Sequence, residues 1–180
     1  MKIAVIGGTG LIGSRVVELL RAAGHQAAPH SPSTGLDLLS GKGVAEALAN
    51  LLKAGPIPWS IVRATQFFEF VDAVLAWTGD ADTVRLPATP IQPMAADDVA
   101  RAVAEVSAGT PLNGTRDIAG PEIFTLDELG RITLEAEGDK RAVVTDPSAG
   151  MFAAVPGDVI IAREGAVIAK TSYREWLAAR

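Results

Sequence analysis

The sequence contains no cysteine, which removes disulfides and thiol nucleophiles from consideration and fits a cytoplasmic home. It holds two histidines, His25 and His30, and no cluster of acids and histidines at metal-ligand spacing, so no metal site is expected. The formal net charge of −5 speaks against a nucleic-acid surface. No apolar run reaches the roughly 18 residues of a membrane span, and Met1 leads straight into a strand pattern. Neither a span nor a signal peptide is therefore expected. Repeats and low-complexity stretches are also missing. What is present is a chain of 180 residues, 48% hydrophobic and 21% charged. That is enough for one domain, or one and a half, with a real core.

The chain is organised around KIAVIGGTGLIG, Lys2 to Gly13. Ile3, Ala4, Val5 and Ile6 read as a short apolar strand that ends in a glycine turn. From Leu11 the period becomes helical, with Ile12, Val16, Leu19, Leu20 and Ala23 on one face. Gly24 then ends the helix, being tolerant of positive φ. Strand, glycine turn and helix in that order form the setting in which a glycine motif carries chemistry. Gly7 permits the sharp exit from the strand, Gly10 lets a diphosphate approach the backbone, and Gly13 lets the helix pack close. Amides near Gly10, Leu11 and Ile12 would point at the phosphates, and the helix dipole favours that charge. The plain alternative is a structural glycine turn with no ligand.

The next strand is expected over His25–His30. In a dinucleotide-binding unit an acid at its end would bond the ribose hydroxyls of NAD and repel a 2′-phosphate. Here the run is Pro29-His30-Ser31-Pro32-Ser33-Thr34, whose His30, Ser31 and Ser33 can donate to a phosphate. NADP(H) is therefore expected over NAD(H). The same residues also suit a polar surface turn. A helix is expected over Ser40–Ala54, stopped by Gly55-Pro56, and a buried strand over Trp59–Ala64. Phe67, Phe70, Val71, Val74 and Leu75 make a helical stripe that reads mainly as core. Thr65, Gln66 and Phe67 follow a strand end, where an α/β sheet places ligands, and are candidate substrate-pocket residues.

Further along, Thr83–Leu86 and Ile91–Met94 read as short strands. Asp97 and Asp98 open a helix with Val99, Val103 and Val106 inward, the acids suiting its dipole. Thr115–Ala119 and Ala142–Thr145 read as strands. Thr125-Leu126-Asp127-Glu128 and Ser172-Tyr173-Arg174-Glu175 each spell a capping box. Residues 150–170 take no firm assignment.

The Gly7-x-x-Gly10-x-x-Gly13 spacing resembles the TGxxGxxG turn of the short-chain dehydrogenase/reductases, extended and atypical branches. With Gly35–Leu38, WSIVRATQFFEF, IQPMAADDVARAVAEV and GPEIFTLDELG, the chain resembles the NmrA-like members of the atypical group. That resemblance implies an α/β, Rossmann-like three-layer α/β/α fold with a mostly parallel sheet and a small C-terminal substrate-side subdomain. The shortened dinucleotide-binding core would occupy residues 1–80 and the substrate side 81–180. It further implies that Gly7, Thr9, Gly10, Leu11, Ile12 and Gly13 hold the diphosphate, and that Asp37 and Leu38 meet the adenine. Ser31 and Ser33, with His30, would face the 2′-phosphate.

One departure stands out. Where the family continues after a helix like Val44–Asn50 through two more βα units, Asn50 here runs directly into Leu51. About 60–80 residues are missing, since a βαβ unit takes about 30 or more. With the shortened crossover, Trp59–Ala64 is expected to pair directly with Ile3–Ile6, Val5 lying against Ile61–Val62. A homodimer that fills the sheet positions by exchange is the other solution. The superfamily's Tyr-x-x-x-Lys pair has no counterpart either. Tyr173 is the only tyrosine, and residue 177 is Leu177. No catalytic residue is nominated. The resemblance implies an NADPH-dependent oxidoreductase acting on a small quinone or carbonyl compound. The alternatives are a non-catalytic dinucleotide sensor and a truncated fold without activity.

Overall fold

The computed structural model describes residues 2–30 and 58–180. Ser31, Ser33, Asp37, Leu38, the expected helix Ser40–Ala54 and the Asn50–Leu51 junction lie outside the described residues. In chain order the elements begin with β1 (Lys2–Ile6), α1 (Leu11–Ala22), β2 (Gln26–His30) and β3 (Ser60–Ala64). A 3₁₀ turn at Phe68–Phe70 leads into α2 (Val71–Thr78), β4 (Thr83–Leu86) and β5 (Pro90–Ile91). Then come α3 (Ala96–Ala108), β6 (Gly114–Ala119), β7 (Phe124–Thr125) and α4 (Leu126–Glu137). β8 (Ala142–Thr145), a 3₁₀ turn at Met151–Ala154, β9 (Val167–Ile168) and α5 (Tyr173–Ala178) complete the chain. The result is the expected mixed α/β architecture with mainly parallel pairing. The ladders β1–β2, β4–β8 and β6–β9 are parallel, and β5–β7 is antiparallel.

Two compact units divide the chain: Met1–Arg63 with Ala96–Arg116, and Ala64–Ala95 with Asp117–Arg180. In the first, β1 and β2 run parallel with Lys2 opposite Gln26 and Ile6 opposite His30. Such a pair needs a crossover, and α1 supplies it. The helix buries Val16, Val17 and Leu20 together with Ala27 of β2 and Ala100 of α3. Its C-terminus closes as the sequence requires. Gly24 takes φ +82, its N–H donates to Arg21 O, and the His25 N–H reaches Leu20 O. That double bond is the Schellman arrangement, which satisfies the last carbonyls of the helix.

The expected ladder between Val5 and Ile61–Val62 does not form among the described residues. β1 pairs with β2, and β3 pairs with β6. β3 is committed from its first residues: the Asn113 N–H donates to Trp59 O at 2.7 Å, and the Leu112 N–H donates to Ser60 Oγ at 2.9 Å. These bonds fix β3 on β6, and pairing preferences read from the glycine strand alone could not anticipate them.

The second unit has its own core. Phe68, Val71, Val74 and Leu75 pack with Val84, Leu86, Leu129, Ile132 and the fully buried Tyr173. The aromatic stripe over Phe67–Leu75 is thus largely core, as its period predicts. The strand expected over Ile91–Met94 is shorter, Pro90–Ile91. Beyond Ile91 the backbone bonds instead to Gln66: Gln92 N–H to Oε1 at 3.1 Å and Met94 N–H to the main-chain carbonyl at 2.9 Å. Among the described residues no helix is long and apolar enough to cross a membrane.

Candidate functional site

The turn from β1 into α1 is built by three glycines with three different constraints. Gly7 sits at φ +74, a left-handed conformation open to glycine at little cost. Gly13 is pressed onto the turn: a Cβ there would lie 2.1 Å from Gly7 O, so no other residue fits without moving the helix. Gly8 is equally confined, since its Cβ would meet Pro29 Cα at 2.6 Å and Val5 O at 2.7 Å. Gly8 is the residue that spacing arguments pass over. The Gly7-Gly8 doublet was its signal, because two adjacent glycines relieve two separate clashes.

Gly10 differs from these. It is extended, with φ −82 and ψ 178, and an added Cβ would meet only Gly7 O at 3.4 Å. Its own N–H donates to Gly7 O at 3.0 Å, so it closes the turn rather than offering a free donor. The donors left are the first-turn amides of Leu11, Ile12 and Gly13, which have no acceptor earlier in the helix. No side chain caps α1 and no acid lies in its first turn. Thr9, Gly10 and Leu11 are exposed. An exposed, uncapped helix N-terminus behind a glycine turn is the geometry that receives a phosphate group.

Around this turn, Arg15 of α1 forms an ion pair with Asp97 at the start of α3, and its Nη1 donates to Leu11 O at 3.1 Å. Asp98 accepts from Arg101 at 2.5 Å. Asp97 thus ties α3 to α1, whereas Asp98 pairs within its own helix. His30 ends β2 in register with Ile6.

Thr65, Gln66 and Phe67 belong to the second unit, where the Thr65 hydroxyl and the Gln66 amide make hydrogen bonds within the protein. Thr65 Oγ1 donates to Gln92 O at 2.5 Å. The Gln66 amide accepts from Gln92 N–H and donates to Ile160 O at 2.8 Å. Gln92 in turn donates to Gly120 O at 2.8 Å and accepts from Ala162 N–H at 2.9 Å. Two glutamine amides therefore pin the segment around residues 160–162 to the strand ends. Phe67 makes a bridge to Met94. The pinning role of Gln92 is another feature the sequence did not reveal.

Tyr173 is fully buried. Thr133 Oγ1 donates to Leu129 O at 2.7 Å, so at the 2.8 Å contact between the two hydroxyls the tyrosine is the donor. Burial pushes its phenol up to about 12, despite the bond to Thr133. Such a group stays neutral and shielded, the opposite of a solvent-facing acid–base residue. Among the described residues no group of three or more His, Cys, Asp or Glu could hold a metal ion.

No protein-family model matches the sequence, and no curated protein matches it. Among solved structures it is similar to a nucleoside-diphosphate-sugar epimerase from Staphylococcus aureus, with TM-score 0.58 at 12% identity over 81% of this chain and 80% of that one. A dTDP-4-dehydrorhamnose reductase from Clostridium acetobutylicum gives TM-score 0.58 at 12% identity, over 88% and 94% of the two chains. A human epimerase family protein, solved with NADPH, gives TM-score 0.55 at 13% identity, over 81% and 83%. At these identities the likeness is one of fold: the chain has the Rossmann-like α/β fold of these epimerases and reductases.

Proposed function

We propose that this chain binds a nicotinamide dinucleotide, NADP(H) in preference to NAD(H), and serves as an NmrA-like oxidoreductase toward a small quinone or carbonyl compound. The observation that carries the reading is the turn itself. Gly13 is packed on Gly7, and the α1 N-terminus is exposed and uncapped. The residues present fit a diphosphate: Leu11, Ile12 and Gly13 supply amides, the helix dipole supplies partial positive charge, and Gly10 leaves room beside them. In the same reading His30, Ser31 and Ser33 meet the 2′-phosphate and Asp37 and Leu38 the adenine. The dinucleotide, when bound, supplies the hydride chemistry, and the chain's task is to bind and orient it. That solved neighbours include a protein with NADPH supports the cofactor class.

A second reading is a dinucleotide-binding protein without turnover. The state of Tyr173, buried and bonded to Thr133, favours it, because no phenol is offered to a substrate. Calorimetric titration with NADPH and NADH tests the shared part. Expected is micromolar NADPH binding, weaker NADH binding, and loss of both in Gly10→Asp. Absence of binding to either dinucleotide sinks both readings. A subsequent quinone screen with NADPH separates them.

A further inference from the structure

The second unit contains a cavity of ≈ 280 Å³ that the dinucleotide reading does not use. Val74, Trp77 and Thr78 of α2 line it with Leu86 and Leu126, and residues 149–152 close it. Thr65, Gln66 and Phe67 are not among its lining residues. We propose that this cavity is a binding site for an uncharged, flat aromatic molecule of one or two rings.

The chemistry of the lining selects that class. Among the described residues no Lys, Arg, Asp or Glu lines it, so a charged ligand would lose its hydration without compensation. Among the described residues the one hydroxyl in the lining is Thr78 Oγ1, and it donates to Val74 O at 2.7 Å, leaving only lone pairs to offer. The volume sits just below the roughly 300–1,000 Å³ of drug-sized pockets, which limits the occupant to one or two rings. Trp77 is 66% exposed, an unusual state for an indole. It is held edge-on by Phe70 at 5.4 Å rather than buried. An aromatic ligand would cover that surface and gain stacking geometry.

The wall is preformed. The Asp146 N–H donates to Leu86 O at 2.9 Å, and the Ala149 N–H donates to Asp146 O at 3.1 Å. Thr89 Oγ1 donates to Phe152 O at 3.0 Å. Gly150 takes φ +66 between these anchors. A site held at both ends needs little ordering when a ligand enters.

The test uses the full chain and 1-naphthol, followed by calorimetry and by the Trp77 indole N–H resonance, identified with Trp77→Phe. Expected is saturable binding that shifts this resonance. Ala149→Leu, which adds bulk on a partly exposed lining residue, weakens binding at least ten-fold while its melting profile stays native. Trp77→Ala, a mostly exposed truncation, weakens it several-fold. Naphthalene-1-sulfonate binds at least ten-fold more weakly than 1-naphthol. NADPH affinity, titrated separately, is unchanged in Ala149→Leu, so failure here and failure of the cofactor reading are told apart. No binding of 1-naphthol, undiminished binding in Ala149→Leu, or equal binding of the sulfonate overturns the assignment.

Discussion

Gly10 is where steric and electrostatic demands on the glycine turn come apart. At Gly13 and Gly8 a side chain collides with backbone, so substitution there damages fold and binding together. At Gly10 the backbone is extended and the space for a Cβ is adequate. An aspartate placed there becomes an N-cap, a position where it exceeds glycine by a few tenths of a kcal/mol, on the order of what capping series give. Its carboxylate would take the same first-turn amides that a diphosphate needs, and its charge would repel the phosphates. Gly10→Asp should therefore melt at or above the parent temperature while NADPH binding drops by at least ten-fold. Thermal unfolding and calorimetry on the same sample check both halves. A variant that unfolds early would show that the turn cannot admit a side chain.

At the scale of elements, the two capping boxes written in the sequence have different outcomes. At α5 the box forms: Ser172 Oγ accepts from Glu175 N–H, and the Glu175 carboxylate accepts from Ser172 N–H. At α4 it does not, and Thr125 makes no side-chain cap. Its hydroxyl turns to Asp127, whose carboxylate also accepts from Thr145 Oγ1 at 2.6 Å and pairs with Arg131 at 3.0 Å. There the hydroxyl donates to a charged acceptor instead of turning its lone pairs to the first-turn amides, as a cap would require. The motif was legible, but Thr145 arrives from β8, which no local spacing reveals. Burial pushes the Asp127 carboxyl up, yet the bonds from Thr145, Thr125 and Arg131 outweigh it and hold it below the usual carboxylate range. Its folded value lies under its unfolded value, so its stabilisation is present above the ordinary carboxylate pKa. It is lost as pH falls through that value toward the depressed one. Melting temperature should fall between neutral pH and pH 3, and Asp127→Asn should flatten part of that slope. At neutral pH the same change should cost about 1–3 kcal/mol, the usual penalty for disturbing a buried, charge-assisted bond. Matched melts of parent and variant across pH decide it, with equal slopes counting against the role given to Asp127.

For the molecule as a whole, legibility followed the range of the interactions. Strand β1, the glycine turn, α1 and its glycine stop were readable because each signal lies within about a turn or two of its effect. The partner of β3 was not, because the Trp59–Asn113 and Ser60–Leu112 bonds join residues more than fifty apart. The place of Gln66 after a strand end was visible, whereas its bonds to Gln92 and Ile160, far along the chain, were not. The same long-range packing decides what chemistry the chain can offer. Tyr173 is the only tyrosine, and with its phenol pushed up to about 12 and its hydroxyl bonded to Thr133 it has no proton to trade near neutrality. If the oxidoreductase reading holds, hydride transfer to a quinone must proceed without a phenolic acid, and the proton must come from water after the transfer. Turnover of 1,4-benzoquinone with NADPH should then stay within about two-fold from pH 6 to pH 9, because a group shifted by several pK units beyond that window cannot shape the profile. Tyr173→Phe should leave kcat unchanged and lower stability by about 1 kcal/mol, the net worth of one buried hydrogen bond. A profile with a clear break in that range would place a proton-transferring side chain other than Tyr173 in the reaction, and a ten-fold loss of kcat in Tyr173→Phe would make Tyr173 a reacting group.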